Sequence, residues 1–136
     1  MVKRSLWAGI VAVSLAMSVS AVSAQRVGET ETGVAAVYAD TLSGHRTANG
    51  ERYDRTKLTA AHKTLPFGTT IKVTNTQNNK SVLLRINDRG PFQASRMLDL
   101  SAAAATQLGI NRRGMREVTL EILELGVAKR ASSTAP

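Results

Sequence analysis

Apolar periodicity in this chain comes only in short pieces. The runs that alternate apolar and polar residues, at 33–38, 70–75, 81–87 and 117–123, are each six or seven residues long. A period of two marks half-buried strands, so the chain is expected to be mainly β. In the last run Val118, Leu120 and Ile122 share one face. Asn78-Asn79 lies between the second and third runs, and because Asn tolerates the left-handed backbone of tight turns, those two strands are expected to pair antiparallel. One short helix is expected where Ser101 can cap the first turn, Ala102 to Ala105 propagate it and Gly109 can end it, a piece suited to plugging a barrel end. A glycine turn feeding a strand occurs at Gly68-Thr69-Thr70-Ile71-Lys72-Val73 and again at Gly114-Met115-Arg116-Glu117-Val118-Thr119. That echo suggests two related halves interlocked in one barrel, an arrangement that leaves no long sheet edge exposed.

The first residues have the form of a secretory signal: basic Lys3 and Arg4, an apolar run from Leu6 to Met17, then small residues ending Val22-Ser23-Ala24. The apolar run is shorter than the roughly 20 residues a bilayer span needs, so residues 1–24 are expected to be removed rather than to anchor the chain. Residues 25–32 and 126–136 are polar or small and are expected to be loose, which leaves 33–125 as one folded domain. With no cysteine, the fold uses no disulfide, has no thiolate metal site and offers no N-terminal lipid attachment. An exported protein follows, periplasmic or secreted, soluble, without stable membrane insertion and monomeric.

The net charge is +8, and +6 (16 minus 10) once Lys3 and Arg4 leave with the signal, which favours an anionic partner. Nucleic acid fits neither the export signal nor the scatter of Arg52, Arg55, Lys57, Lys63, Lys72 and Lys80 among strands and turns; a wall polymer bearing carboxylates fits both. The only Trp, Trp7, lies in the signal, which leaves Tyr38, Tyr53, Phe67 and Phe92 as the aromatic repertoire. Of these, Tyr38 and Tyr53 are expected to line a cleft and Phe67 to lie in the core. Two segments combine turn residues with a density of ionisable groups. One is Thr47-Ala48-Asn49-Gly50-Glu51-Arg52-Tyr53-Asp54 followed by Leu58-Thr59-Ala60-Ala61-His62, and the other is Asn87-Asp88-Arg89-Gly90-Pro91-Phe92.

These segments, with Leu65-Pro66-Phe67-Gly68-Thr69, Val73-Thr74-Asn75 and Asp99-Leu100-Ser101, resemble the RlpA-like family of double-psi β-barrels, the septal lytic transglycosylase group. The resemblance runs from about Gly33 to Leu125 and implies a six-stranded double-psi β-barrel with one or two short helices. It also implies cleavage of the β-1,4 bond between N-acetylmuramic acid and N-acetylglucosamine in peptidoglycan glycan strands without water, giving a 1,6-anhydromuramoyl end. The family's functional positions appear as Glu51, Asp54, His62 and Asp88, and Tyr38, Tyr53, Asn49, Asn87 and Arg89 are the expected substrate contacts. Longer members carry a lipid-attachment Cys and a separate peptidoglycan-binding domain.

The chemistry asks for one group that protonates the leaving oxygen and then takes a proton from the C6 hydroxyl attacking the anomeric carbon. One carboxyl suffices, because an internal hydroxyl replaces the water or enzyme nucleophile of ordinary glycosidases. Asp88 is the candidate, with Glu51 or Asp54 as the like-charged neighbour that favours its neutral form and Arg89 pointing elsewhere, to a buried carbonyl or to Asp99. His62 offers one donor and one acceptor. Taken alone, each has a plainer reading: Asp88 as an Asx-turn former, His62 as a core or capping residue, Glu51 and Asp54 as solvated acids, Asp54 also suiting a turn. Glu51, Asp54, His62 and Asp88 could in principle cage a metal, but no tight histidine spacing accompanies them, and neither metal nor other cofactor is expected. The alternative function is a non-catalytic glycan-binding or wall-loosening module like the similar expansin group, against which the lack of Cys and of Trp outside the signal counts.

Overall fold

A computed structural model of the chain describes residues 25–127. The expected signal segment 1–24 and residues 128–136 of the expected tail lie outside the described residues. Six strands, β1 (Thr30–Val37), β2 (Thr59–His62), β3 (Thr70–Asn75), β4 (Ser81–Asp88), β5 (Leu98–Leu100) and β6 (Arg116–Glu124), close into a barrel in the ring order β1-β5-β2-β4-β3-β6. The pairs β1–β5 and β2–β4 are parallel; the other four are antiparallel. Exchanging β1 with β4, β2 with β5 and β3 with β6 returns the same ring with every pair in the same sense. The Gly68 and Gly114 echo falls on β3 and β6, which this symmetry exchanges, so the two interlocked halves are real.

The interior is filled by alternate residues of every strand, among them Ile71 and Val73 of β3, Leu84 and Ile86 of β4, and Val118, Leu120 and Ile122 of β6. Between β3 and β4, Asn79 takes φ 60°, the left-handed conformation its side chain tolerates. One α-helix, α1 (Ala102–Leu108), begins where the Ser101 hydroxyl accepts the Ala104 N–H at 3.2 Å and ends at Gly109, φ 70°. Its last carbonyl, that of Leu108, accepts from the side-chain amides of Asn75 and Asn78, which ties the helix end to the hairpin. Among the described residues, a single 3-10 turn at Asp40–Leu42 is the other helical piece.

Both ends of the domain reach further than the sequence indicates. Strand β1 begins at Thr30, inside the segment expected to be loose, and the Gly28 N–H still donates to the Ile122 carbonyl at 2.8 Å. A backbone ladder pairs whatever the side chains are, so the polar start of β1 gave no sign of it. At the other end Gly126 donates its N–H to Thr69 Oγ1 at 2.9 Å and presses on the Phe67 backbone so closely that no side chain fits there. Phe67 is half-buried against the core.

Candidate active site

Asp99 on β5 and Asp88 on β4 are both in register with Ala61 of β2, and Asp99 is also in register with Ala36 of β1. Residues in register on neighbouring strands share a face, so Ala36, Ala61, Asp88 and Asp99 stand together on the outer surface while Ala35, Ala60, Ile86 and Leu98 turn inward. The pairing jumps from Ala60–Ile86 to Ala61–Asp88, a bulge that absorbs Asn87. Without that extra residue Asp88 would face the core; the bulge turns it outward. Ala61 makes a small, buried floor between the acids, and Ala36, also buried, lies on the far side of Asp99.

Asp88 is half-buried and accepts three hydrogen bonds: from the Tyr38 hydroxyl to Oδ2 at 2.6 Å, and from the Ala48 and Arg89 N–H groups to Oδ1 at 2.9 and 2.8 Å. Burial, reinforced by the bond to Asp88, pushes the Tyr38 phenol far above its usual range, so it stays a donor. The Tyr53 ring lies against it, centroids 4.8 Å apart. Tyr53 itself is buried, and its hydroxyl accepts the Ala102 N–H in the first turn of α1, so it buttresses the cleft rather than lining it openly.

Glu51 serves Asp88 at one remove. Arg85 grips both its oxygens at 2.6 and 2.7 Å, and Asn49 and Asn87 donate side-chain N–H groups at 2.9 and 3.4 Å. These bonds, Arg85 first, hold the Glu51 carboxyl at about 2, which removes it as a proton donor, and Arg85 cancels the charge that was expected to act on Asp88. Asn49 Oδ1 in turn accepts from the Thr47 hydroxyl and the Glu51 N–H. Thr47, Asn49 and Glu51 therefore form a braced turn that delivers the Ala48 N–H to Asp88. Removing the clamp with Arg85→Ala is expected to speed amide hydrogen exchange at Ala48 by about tenfold or more, since local opening sets that rate. The melting temperature should barely move, because the pair is part-exposed and such pairs add little stability. Unchanged exchange at Ala48 would mean that the turn holds itself.

Asp54 plays the turn-forming part: its Oδ1 accepts both the N–H and the hydroxyl of Thr56, which hold it below the usual carboxylate range. Arg89 points away from Asp88, donating to the carbonyls of Leu65 at 2.7 Å and His62 at 3.3 Å with its guanidinium 4.0 Å over the Phe67 ring. It is spent on the wall of the site.

His62 neighbours Ala61 on β2, so its side chain leaves the opposite face of the strand from the acids. It is 3% exposed; Nδ1 accepts the N–H groups of Thr64 and Leu65, and Nε2 meets Glu31 at 3.2 Å beside a separate cavity of about 320 Å³. Burial lowers the His62 pKa despite Glu31. With the folded value below the unfolded one, its contribution to stability is lost as pH falls below about 6.5. His62→Ala orphans two backbone donors and is expected to cost about 2 kcal/mol, a melting drop of roughly 10 °C. Calorimetry decides between roles: lost turnover with an unchanged melting temperature would make His62 a catalytic group instead.

Asp99 is the site residue that the sequence reading left aside. Its side chain is 19% exposed, its Oδ1 has no hydrogen-bond partner, and the nearest cation, Arg96, stands 4.0 Å away. Burial first, and then the charge of Asp88, raise its pKa against the pull of Arg96. Asp99 is thus the carboxyl in the cleft best suited to hold a proton. The signal was present as a lone acid between Leu98 and Leu100 in an apolar run. Asn87 Oδ1 and Arg96 Nε, near the two acids in sequence, are likewise buried without partners. Unsatisfied polar atoms are rare in folded proteins and are expected where binding completes them. Among the described residues, no group of three or more His, Cys, Asp or Glu is placed to hold a metal ion.

Residues 30–120 match the protein family described as Lytic transglycolase. The probable endolytic peptidoglycan transglycosylase RlpA of Synechocystis is 48% identical over 119 residues, covering 85% of this chain and 37% of its own. The Campylobacter jejuni endolytic peptidoglycan transglycosylase RlpA is 49% identical over 100 residues, covering 74% of this chain and 36% of its own. The chain thus spans little more than a third of the length of these relatives. In solved structures, the barrel is similar to the Streptomyces papain inhibitor, with TM-score 0.58, 21% identity and coverage of 74% of this chain and all of that one. It is similar too to the Clavibacter michiganensis expansin, with TM-score 0.57, 18% identity and coverage of 74% and 53%. Likeness at that identity speaks for the fold alone.

Proposed function

The chain belongs to the lytic transglycolase family, and from that premise we propose that it cleaves peptidoglycan glycan strands outside the cytoplasm. The bond broken is MurNAc-β-1,4-GlcNAc, without water, and the new end is a 1,6-anhydromuramoyl group. The observation that carries this reading is the pair Asp88 and Asp99 on one outer face, flanking Ala61, with the Tyr38 hydroxyl on Asp88. Burial raises the pKa of Asp99, which suits it to carry the one proton the reaction needs. That proton goes to the leaving O4 as the C1–O4 bond breaks. The C6 hydroxyl then closes on C1, and its proton returns to the carboxylate, which resets the site. Asp88, held by three donors, sets its negative charge against the positive charge developing at C1.

Tyr38, Ala48 and the Glu51 clamp act by keeping Asp88 in place, and Asn49 and Asn87 act through Glu51. The net charge, +8 for the whole chain and +6 without the basic Lys3 and Arg4 of the signal segment, suits a polymer that carries carboxylates. Release of soluble glycan from purified sacculi, intact or stripped of peptide, tests the reading. Sedimentation with sacculi and no release from either substrate would favour the glycan-binding module instead.

A further inference from the structure

Phe92 is 92% exposed, the most open large apolar side chain among the described residues. A single apolar group on a surface needs no explanation, but this aromatic ring borders the same space over Gly90 as the Asp99 carboxyl. It lies two residues after Gly90, whose φ of 126° is a conformation that side chains rarely adopt. A β-carbon built at Gly90 would meet Phe92 Cε2 and Asp99 Oδ2 at 3.9 Å each. The ring edge and the carboxyl oxygen therefore both border the space over Gly90, which has no side chain to fill it, while most of the ring faces solvent. The other strongly exposed apolar side chains, Leu83, Met115, Val27 and Val127, are aliphatic.

The geometry points to Phe92 as a sugar platform: the apolar C–H face of a hexosamine ring stacks on it, and the glycosidic oxygen beside that ring comes within reach of Asp99. This rests on the transglycosylase reading. A pyranose offers an apolar face and a polar edge, and Phe92 with Asp99 offers the matching pair. A peptide stem has no flat apolar face to lay on the ring. Phenylalanine also lacks a polar atom that would compete with the acid for the sugar's hydroxyls.

Phe92→Ala is expected to raise the glycan concentration at half-maximal rate by about tenfold with kcat little changed, the pattern of lost uniform binding, and Phe92→Tyr to restore most of it. Binding is read separately. Trp7 is the only Trp, so Trp7→Phe combined with Phe92→Trp leaves a single Trp, on the platform, whose emission can be excited apart from that of the tyrosines. Soluble peptide-stripped glycan should shift its emission saturably. Cleavage with normal saturation in Phe92→Ala and no emission change in the Trp variant would overturn the platform and leave the activity standing. A saturable shift without any anhydro product would keep the platform and overturn the activity.

Discussion

Asp88→Asn is expected to lower turnover by about a thousandfold while leaving the barrel folded. The amide keeps the oxygen that accepts from Ala48 and Arg89, and the Tyr38 hydroxyl can rotate to accept from the new NH₂, so every hydrogen bond of the wild-type carboxyl has a replacement. Charge is what goes. Stabilisation of the developing cation is lost, and so is the like charge that helps to keep the proton on Asp99. A melting curve matching wild type, together with absent anhydro ends in the digest, is the expected pair of results. Retained turnover would return Asp88 to the part of an Asx-type turn former.

Asp99→Asn is expected to remove activity about as completely, and it carries a second, independent signature. Burial raises the folded-state pKa of Asp99 above its unfolded value. The stability tied to this group is therefore fully present below the unfolded value, about 4, and lost as pH rises through the folded one. Asn never ionises and escapes that loss. The melting temperature of Asp99→Asn, relative to wild type, should thus climb between pH 4 and pH 8. Arg96, 4.0 Å away and left without its partner, offsets part of the gain. A flat difference across that range would mean that Asp99 is solvated well enough to stay charged, and the proton would have to be sought elsewhere.

The long strands and the helix were legible because each carries a local signal: alternation in β3, β4 and β6, and a capping Ser101 with a terminating Gly109 around an alanine run. Strands β2 and β5, of four and three residues, are too short to show a period, and β2 is buried throughout. These strands carry Ala61 and Asp99, so although both residues fall in segments that bear the family resemblance, no period showed that they share a face. Asp88 was legible as a residue but not in its partners. Glu51 and Arg85 are 34 residues apart and meet only because the loop folds onto β4, so the sequence showed an acid where the structure shows a neutralised clamp. The bulge at Asn87, which turns Asp88 outward, leaves no mark in composition or spacing.

The origin of the oxygen at the new end separates non-hydrolytic cleavage from hydrolysis. Glycan strands stripped of peptide are digested by the full chain in water enriched in heavy oxygen, and the products are weighed by mass spectrometry. Anhydromuramoyl ends that carry no label are expected, since the oxygen closing on C1 belongs to the sugar's own C6 hydroxyl. Reducing ends that carry the heavy oxygen would contradict non-hydrolytic cleavage, because water would then be the nucleophile and the site at Asp88 and Asp99 a hydrolase.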